Sequence, residues 1–223
     1  MMMKLLKILF FVCMFLFIFL FSFYIAFFDN GFYKKQFEVN NVYDVFGGEK
    51  VDSVKGELIG YFNGDNELAT GLFNEKEKMH LEDVKGIIGN VLGLFYIVAG
   101  LGCLMLVYFL MIYDDKAVAS VLIGSGSVAL GVIVVLVLIT VLDFNWLFTG
   151  FHLIAFDNRL WLLPGESNLV RMFPAGFFLA MFIRILLYAG VFGLTFIIIG
   201  FVSRKYHVLD LDKYKRKLKA YLL

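Results

Sequence analysis

Three histidines, His80, His152 and His207, are the side chains of this sequence best suited to moving protons near neutral pH. Asp83 follows His80 by three positions, a spacing that puts both on one face of a helix. A carboxylate there can fix an imidazole tautomer and raise its basicity. His152 closes the stretch Trp146-Leu147-Phe148-Thr149-Gly150-Phe151-His152, where an imidazole costs desolvation unless it finds a partner. His207 lies in a tail rich in lysine and arginine and reads as a solvated residue. Two imidazoles from separate segments, meeting at one surface, supply a general base and a general acid, which is what acyl transfer needs. No Gly-x-Ser-x-Gly element marks a nucleophilic serine. A metal held by the two histidines with Asp83 or Asp157 is the alternative reading, and it has no motif spacing behind it. Arg184 interrupts an apolar run, so it is a candidate to grip a phosphate or a carbonyl, or else to snorkel to the interface.

The elements that must position these residues are set by the apolar runs. The chain has 223 residues, 61% of them hydrophobic, against about 45–50% in soluble domains. Runs of roughly 18 or more apolar residues read as membrane-spanning helices. The first covers residues 8–28 after Lys4 and Lys7; it is too long for a signal-peptide core and lacks a small-x-small cleavage site, so it reads as a retained anchor. The second and third cover 87–113 and 117–142, joined by Asp114-Asp115-Lys116. The fourth is read at 185–203, with 173–183 entering obliquely from the interface ahead of Arg184. The fold class is therefore an all-α integral membrane protein with about four transmembrane helices and a small extracytoplasmic region, mostly helical with room for short extended segments.

Lys4 and Lys7 precede the first span, and Arg204, Lys205 and the lysine-rich tail follow the last. An even number of spans with basic ends places both termini in the cytoplasm. The organisation is then an anchor (1–28), an outer region (29–86), a helical hairpin (87–142), an outer interfacial segment (143–184), a fourth span (185–203) and a basic cytoplasmic tail (204–223). Trp146 and Trp161 both fall in the interfacial segment, as an aromatic belt requires. In the first outer region, residues 32–39 read as extended. Asp52-Ser53 reads as the cap of a helix carrying Val54, Leu58 and Phe62, and Asn63-Gly64-Asp65-Asn66 as a turn. Asn74 with Glu77 reads as a capping box that opens a helix running past His80 and Asp83 into the second span.

Small residues at Gly89, Gly93, Gly124, Ser125, Gly126, Ser127, Gly131, Gly190 and Gly193 suit close helix approach in lipid rather than a pore, which would want polar residues repeated along a span. The net charge of +1 provides no basic field for nucleic acid. Cys13 and Cys103 both fall within spans, which argues against a disulfide framework.

Two segments carry a family resemblance. Phe73-Asn74-Glu75-Lys76-Glu77-Lys78-Met79-His80-Leu81-Glu82-Asp83-Val84-Lys85 resembles the first signature of the lipoprotein intramolecular transacylase (Lit) family of membrane proteins. Phe151-His152-Leu153-Ile154-Ala155-Phe156-Asp157-Asn158-Arg159-Leu160-Trp161, continuing to Met172-Phe173-Pro174-Ala175-Gly176-Phe177-Phe178, resembles the second. Leu153-Ile154-Ala155 departs from the family pattern, in which an acidic residue and a second aromatic often follow the histidine. The resemblance implies transfer of an acyl chain from the glyceryl ester of a diacylglyceryl-modified lipoprotein to the amine of its N-terminal cysteine. It implies catalytic roles for His80 and His152; Asp83, Asp157, Asn158 and Arg184 are read as supporting residues, and no cofactor or metal is expected. Two other readings stay open on the residues alone: a non-enzymatic membrane scaffold or accessory protein, and an acyl transferase or lipid hydrolase acting on another substrate.

Overall fold

A computed structural model describes residues 2–64, 67–112 and 115–206. His207, the lysine-rich tail, Asp65-Asn66 of the expected turn and Asp114 of the hairpin lie outside the described residues. The described residues form eight helices and no strand: α1 (Met2–Phe27), α2 (Asn30–Val39), α3 (Val42–Phe46), α4 (Gly48–Phe62), α5 (Glu75–Ile112), α6 (Asp115–Ala155), α7 (Asn168–Met172) and α8 (Ala175–Tyr206). Four of them, α1, α5, α6 and α8, are long and apolar enough to cross a bilayer. Their apolar side chains face outward in rows, as at Val134, Leu138, Val141 and Leu142. Such a surface suits lipid and not water. The chain is a multi-pass membrane protein.

Helix length separates the spanning parts from the rest. The 38 residues of α5 extend roughly 57 Å, about twice a hydrocarbon core. Residues 75–85 hold seven charged side chains and 87–112 hold none, so the stretch apolar enough to cross a bilayer begins after the first three turns. α6 is longer still, and it breaks at Asp143, whose backbone is extended (φ −162°, ψ 94°). The Asp143 carboxylate accepts from the Trp146 N–H at 3.0 Å, capping a new helical segment. That second segment carries His152.

The chain clusters into two compact units. Of the described residues, the first comprises 2–22, 94–112, 115–136 and 186–206. Its core is built on Phe10, Phe109, Val118 and Val121, with Ile18, Ala129 and Ala189 in a second cluster. Phe17, Phe21, Phe95 and Phe192 stack between the helices. The expected role of small residues holds at Gly126: a Cβ there would lie 2.5 Å from the Gly193 carbonyl oxygen. Gly89, Gly131 and Gly190 by contrast border open space, while Gly102 and Gly200 turn out to sit at close contacts. Ser22 and Ser125, buried in lipid-spanning helices, donate to carbonyls of their own helix, Ile18 and Leu122.

The second unit comprises 23–93 and 137–185. Its core gathers Phe32, Phe37, Val51, Val54, Leu58, Phe73, Leu81, Met172 and Phe177 from α2, α4, α5, α7 and α8. Three expectations need correction here. Residues 32–39, read as extended from their aromatic and β-branched content, form α2, because Asp29 caps it by accepting from the Phe32 N–H at 3.1 Å. Helix α4 begins at Gly48 rather than at Asp52-Ser53, since Gly47 turns the chain at φ +84°, a conformation only glycine adopts freely. Helix α8 runs unbroken through Arg184 from Ala175, after Pro174 has stopped the preceding turn.

Candidate active site

Both histidines belong to the second unit, and each is placed by a helix cap. The capping box at the start of α5 is closed in both directions: the Asn74 side chain accepts from the Glu77 N–H at 3.0 Å, and Glu77 accepts from the Asn74 N–H at 2.7 Å. Three residues on, the helix presents His80. The Asp143 cap opens the segment that presents His152. The imidazoles, 72 positions apart in the chain, come together with ring centroids 6.4 Å apart and planes inclined at 31°. Each residue is only 8% exposed.

An aromatic cluster encloses them. Phe148 lies 4.3 Å from the His152 ring, Trp161 5.0 Å and Phe151 5.4 Å. Phe156 bridges the pair, 5.1 Å from His80 and 5.5 Å from His152. Burial in this cluster lowers the pKa of His152, with the Phe148 carbonyl opposing the shift. Burial likewise pushes His80 down to about 4, reinforced by the neighbouring His152 and partly opposed by Asp83. Both rings are therefore neutral near pH 7.

Hydrogen bonding distinguishes the two. His152 Nδ1 lies 2.7 Å from the Phe148 carbonyl oxygen. A carbonyl only accepts, so Nδ1 carries the proton and Nε2 is left with its lone pair. His80 Nδ1 is buried and has no hydrogen-bond partner. An orphaned N–H is the costlier of the two alternatives, which puts the His80 proton on Nε2.

The other candidate residues are distributed as follows. Asp83 turns toward the second segment: its carboxylate accepts from Asn158 Nδ2 at 2.9 Å. It acts on His80 only through its charge. Asp157 is exposed. Arg184 pairs with the carboxylate of Asp29 and lies over the Phe32 ring at 5.1 Å, so it ties α8 to the start of α2. Among the described residues no group of three His, Cys, Asp or Glu side chains is arranged to hold a metal ion.

Several residues around the pair carry no local signal in sequence. Glu77 does more than cap: its Oε1 accepts from the Leu169 N–H at 2.9 Å, which joins α5 to α7. Lys76 donates to the Leu162 carbonyl at 2.7 Å, across 86 positions. Trp161, read from sequence only as an interfacial aromatic, also covers His152. Only the pairing of distant segments reveals these contacts.

Comparison with known proteins shows the family and the fold. The family model described as lipoprotein intramolecular transacylase Lit matches residues 8–178. None of the curated proteins matches the chain. Among solved structures, the membrane-integral lipoprotein intramolecular transacylase Lit from Bacillus cereus is similar with a TM-score of 0.78 at 20% identity, covering 97% of this chain and 98% of that one. Two further structures of the Bacillus cereus protein, with a histidine replaced by alanine or by arginine, give TM-scores of 0.75 at 18% identity. They cover 92% and 100% of this chain, and 94% and 95% of theirs.

Proposed function

This chain belongs to the lipoprotein intramolecular transacylase Lit family, and on that premise we propose that His80 and His152 are the two groups that carry its acyl transfer. The substrate is a lipoprotein whose N-terminal cysteine bears a diacylglyceryl group. The α-amine of that cysteine, with a pKa near 7.7–8.0, is free base to about one part in ten at pH 7, and that fraction is the nucleophile. It attacks the carbonyl carbon of a glyceryl ester in the same molecule. A C–N bond forms, the carbonyl oxygen becomes an oxyanion, and Nε2 of His152 takes the proton that the nitrogen sheds. Collapse breaks the C–O bond, and the proton on His152 passes to the departing glyceryl oxygen. The products are an amide on the cysteine and a free glyceryl hydroxyl, with no net change in protons.

His80 acts as the neutral donor, its Nε2–H stabilising the oxyanion. That role suits a ring held neutral by burial, because it never has to change charge. Asp83, Asp157, Asn158 and Arg184 support the site without taking part in bond changes. Attack within one molecule supplies much of the rate through proximity. The positive residues Lys4, Lys7, Arg204 and Lys205 support a reading with cytoplasmic termini and a histidine pair facing the outer surface. The observation that carries the reading is the convergence of two buried neutral imidazoles, 6.4 Å apart, from separate segments.

The test is mass spectrometry of a lipoprotein N-terminus, in cells lacking lipoprotein N-acylation, with and without this protein. N-acylated cysteine with a single remaining glyceryl ester should appear with the wild-type chain and vanish for His80→Gln and for His152→Gln. Unchanged diacylglyceryl-cysteine with the wild-type chain would refute the substrate, and activity in either variant would refute the histidine assignment.

A further inference from the structure

The segment between the end of α6 and Pro164 crosses α5 beside the histidine pair. Its fold is set by its own hydrogen bonds: Asn158 Oδ1 accepts from the Leu160 N–H at 2.9 Å, and the Leu163 N–H reaches the Trp161 carbonyl at 2.9 Å. It is fastened to α5 at two points. Asn158 Nδ2 donates to Asp83, and Lys76 Nζ donates to the Leu162 carbonyl. His80 lies between those two anchors on α5, at positions 76, 80 and 83 of one helical face. Trp161 lies between them on the crossing segment, with its ring 5.0 Å from His152.

We propose that residues 157–163 form a strap, anchored on Asp83 and Lys76, that seats Trp161 against His152 and makes Trp161 a positioning residue for acyl transfer. Without it the His152 imidazole is held by one hydrogen bond to the Phe148 carbonyl and by the remaining phenylalanines. One hydrogen bond fixes Nδ1 but leaves the ring free to swing about that contact, and Nε2 is the atom that must meet the amine. The Trp161 face restricts that swing and keeps water from the ring. On this view Asp83 matters as the acceptor for Asn158 and not as a charge beside His80. The inference rests on the acid–base reading above for its link to catalysis.

The experiment uses the full chain purified in detergent micelles, with a diacylglyceryl lipopeptide as substrate. Trp161→Leu should lower kcat on the order of 10-fold to 100-fold, the range for a small misplacement of a reacting group, with KM little changed. Trp161→Phe should restore most of the rate. Asp83→Asn keeps an oxygen for Asn158 to donate to and should retain more of the rate than Asp83→Leu, which should follow Trp161→Leu. Titration of the imidazoles by NMR of histidine-labelled protein provides the readout independent of turnover. In Trp161→Leu the His152 midpoint should rise toward the ordinary value as water enters, with His80 and Asp83 of α5 and Asp157 and Arg159 of the strap unchanged as its charged surroundings. If Trp161→Leu retains kcat and the His152 midpoint, the strap has no such role. If Asp83→Asn is as damaging as Asp83→Leu, Asp83 acts by charge and the anchoring argument fails. Activity surviving His152→Gln would sink the acid–base reading alone, and the titration would then decide the strap by itself.

Discussion

Glu77 is the residue on which the placement of His80 most depends, and its replacement can be reasoned through quantitatively. Its side chain is 1% exposed, and its two oxygens accept from two backbone donors, the Asn74 N–H at 2.7 Å and the Leu169 N–H at 2.9 Å. Glutamine at this position has one oxygen and one amide nitrogen, so one of the two donors must face another donor. The Asn74 N–H is at the helix start, where water can take over, so the glutamine oxygen will stay on Leu169. The loss is then one charge-assisted hydrogen bond, about 1.5–3 kcal/mol, reduced because a buried charge is also removed; a net cost of about 1–2 kcal/mol is expected. Alanine orphans both donors and leaves a cavity, which raises the cost to about 3–4 kcal/mol. At about 2–4 °C per kcal/mol for a chain of this size, thermal unfolding in micelles should rank wild type, Glu77→Gln and Glu77→Ala in descending order of Tm. A Glu77→Gln protein as stable as wild type, or a Glu77→Ala no worse than Glu77→Gln, would refute the reasoning.

Three further outcomes follow from the same structure. The His80 pKa falls from about 6.5 in the unfolded chain to about 4 in the fold. Between those values the unfolded state binds a proton that the native state does not. Stability is therefore full above pH 6.5 and declines as pH falls toward 4, by up to about 1.4 kcal/mol per pH unit; Tm measured from pH 8 to 5 should drop, and less steeply in His80→Gln. A Tm independent of pH in that window would contradict the burial of the ring. Gly126→Ala places a Cβ 2.5 Å from the Gly193 carbonyl oxygen and should cost about 1–3 kcal/mol, whereas Gly131→Ala, which meets nothing, should be neutral or stabilising by about 0.5–1 kcal/mol; Tm ranking tests this. Asp29 and Arg184, each about one-quarter to one-third exposed, should show a coupling of about 1 kcal/mol in a double-mutant cycle of Asp29→Asn with Arg184→Met, and additivity would deny the pair.

Much of the fold is legible in sequence because lipid demands long apolar helices, and no soluble alternative accommodates the uncharged stretches 87–112 and 117–142. The capping box at Asn74 and Glu77 is equally legible, since its partners are three residues apart and need nothing from the rest of the chain. Where sequence and structure differ, the cause is shared: a partner outside the local stretch overrules its composition. Residues 32–39 look extended by composition, and Asp29 turns them into a helix. Arg184 looks like an interruption, and the Asp29 carboxylate lets it stay within α8. Asp52 looks like a cap, and Gly47 starts the helix earlier. The histidines are recognisable by type, but the Phe148 carbonyl, the Asn158 amide and the Trp161 ring that tune and hold them come from contacts no spacing rule encodes.

The placement of the pair outside the spanning stretches has a mechanistic consequence. A lipoprotein offers its amine from the aqueous side and its acyl chains from the bilayer, so the reacting ester lies at the boundary between them. His80 sits on the charged turns of α5 that precede the apolar stretch, and His152 on the segment that Asp143 starts anew after the third span. Both flank the uncharged stretches, whose ends are marked by charge on one helix and a capping aspartate on the other. Enclosure by Phe148, Phe156 and Trp161 holds both imidazoles neutral near pH 7, as the proposed roles of base and oxyanion donor require. An imidazole pair left open to water at the same depth would titrate near its ordinary value and be partly protonated when the amine is least available. With a pKa near 7.7–8.0 the amine, and not the imidazole, sets the lower pH limit for attack, so the aromatic enclosure is better understood as excluding water and fixing the two rings than as extending the pH range.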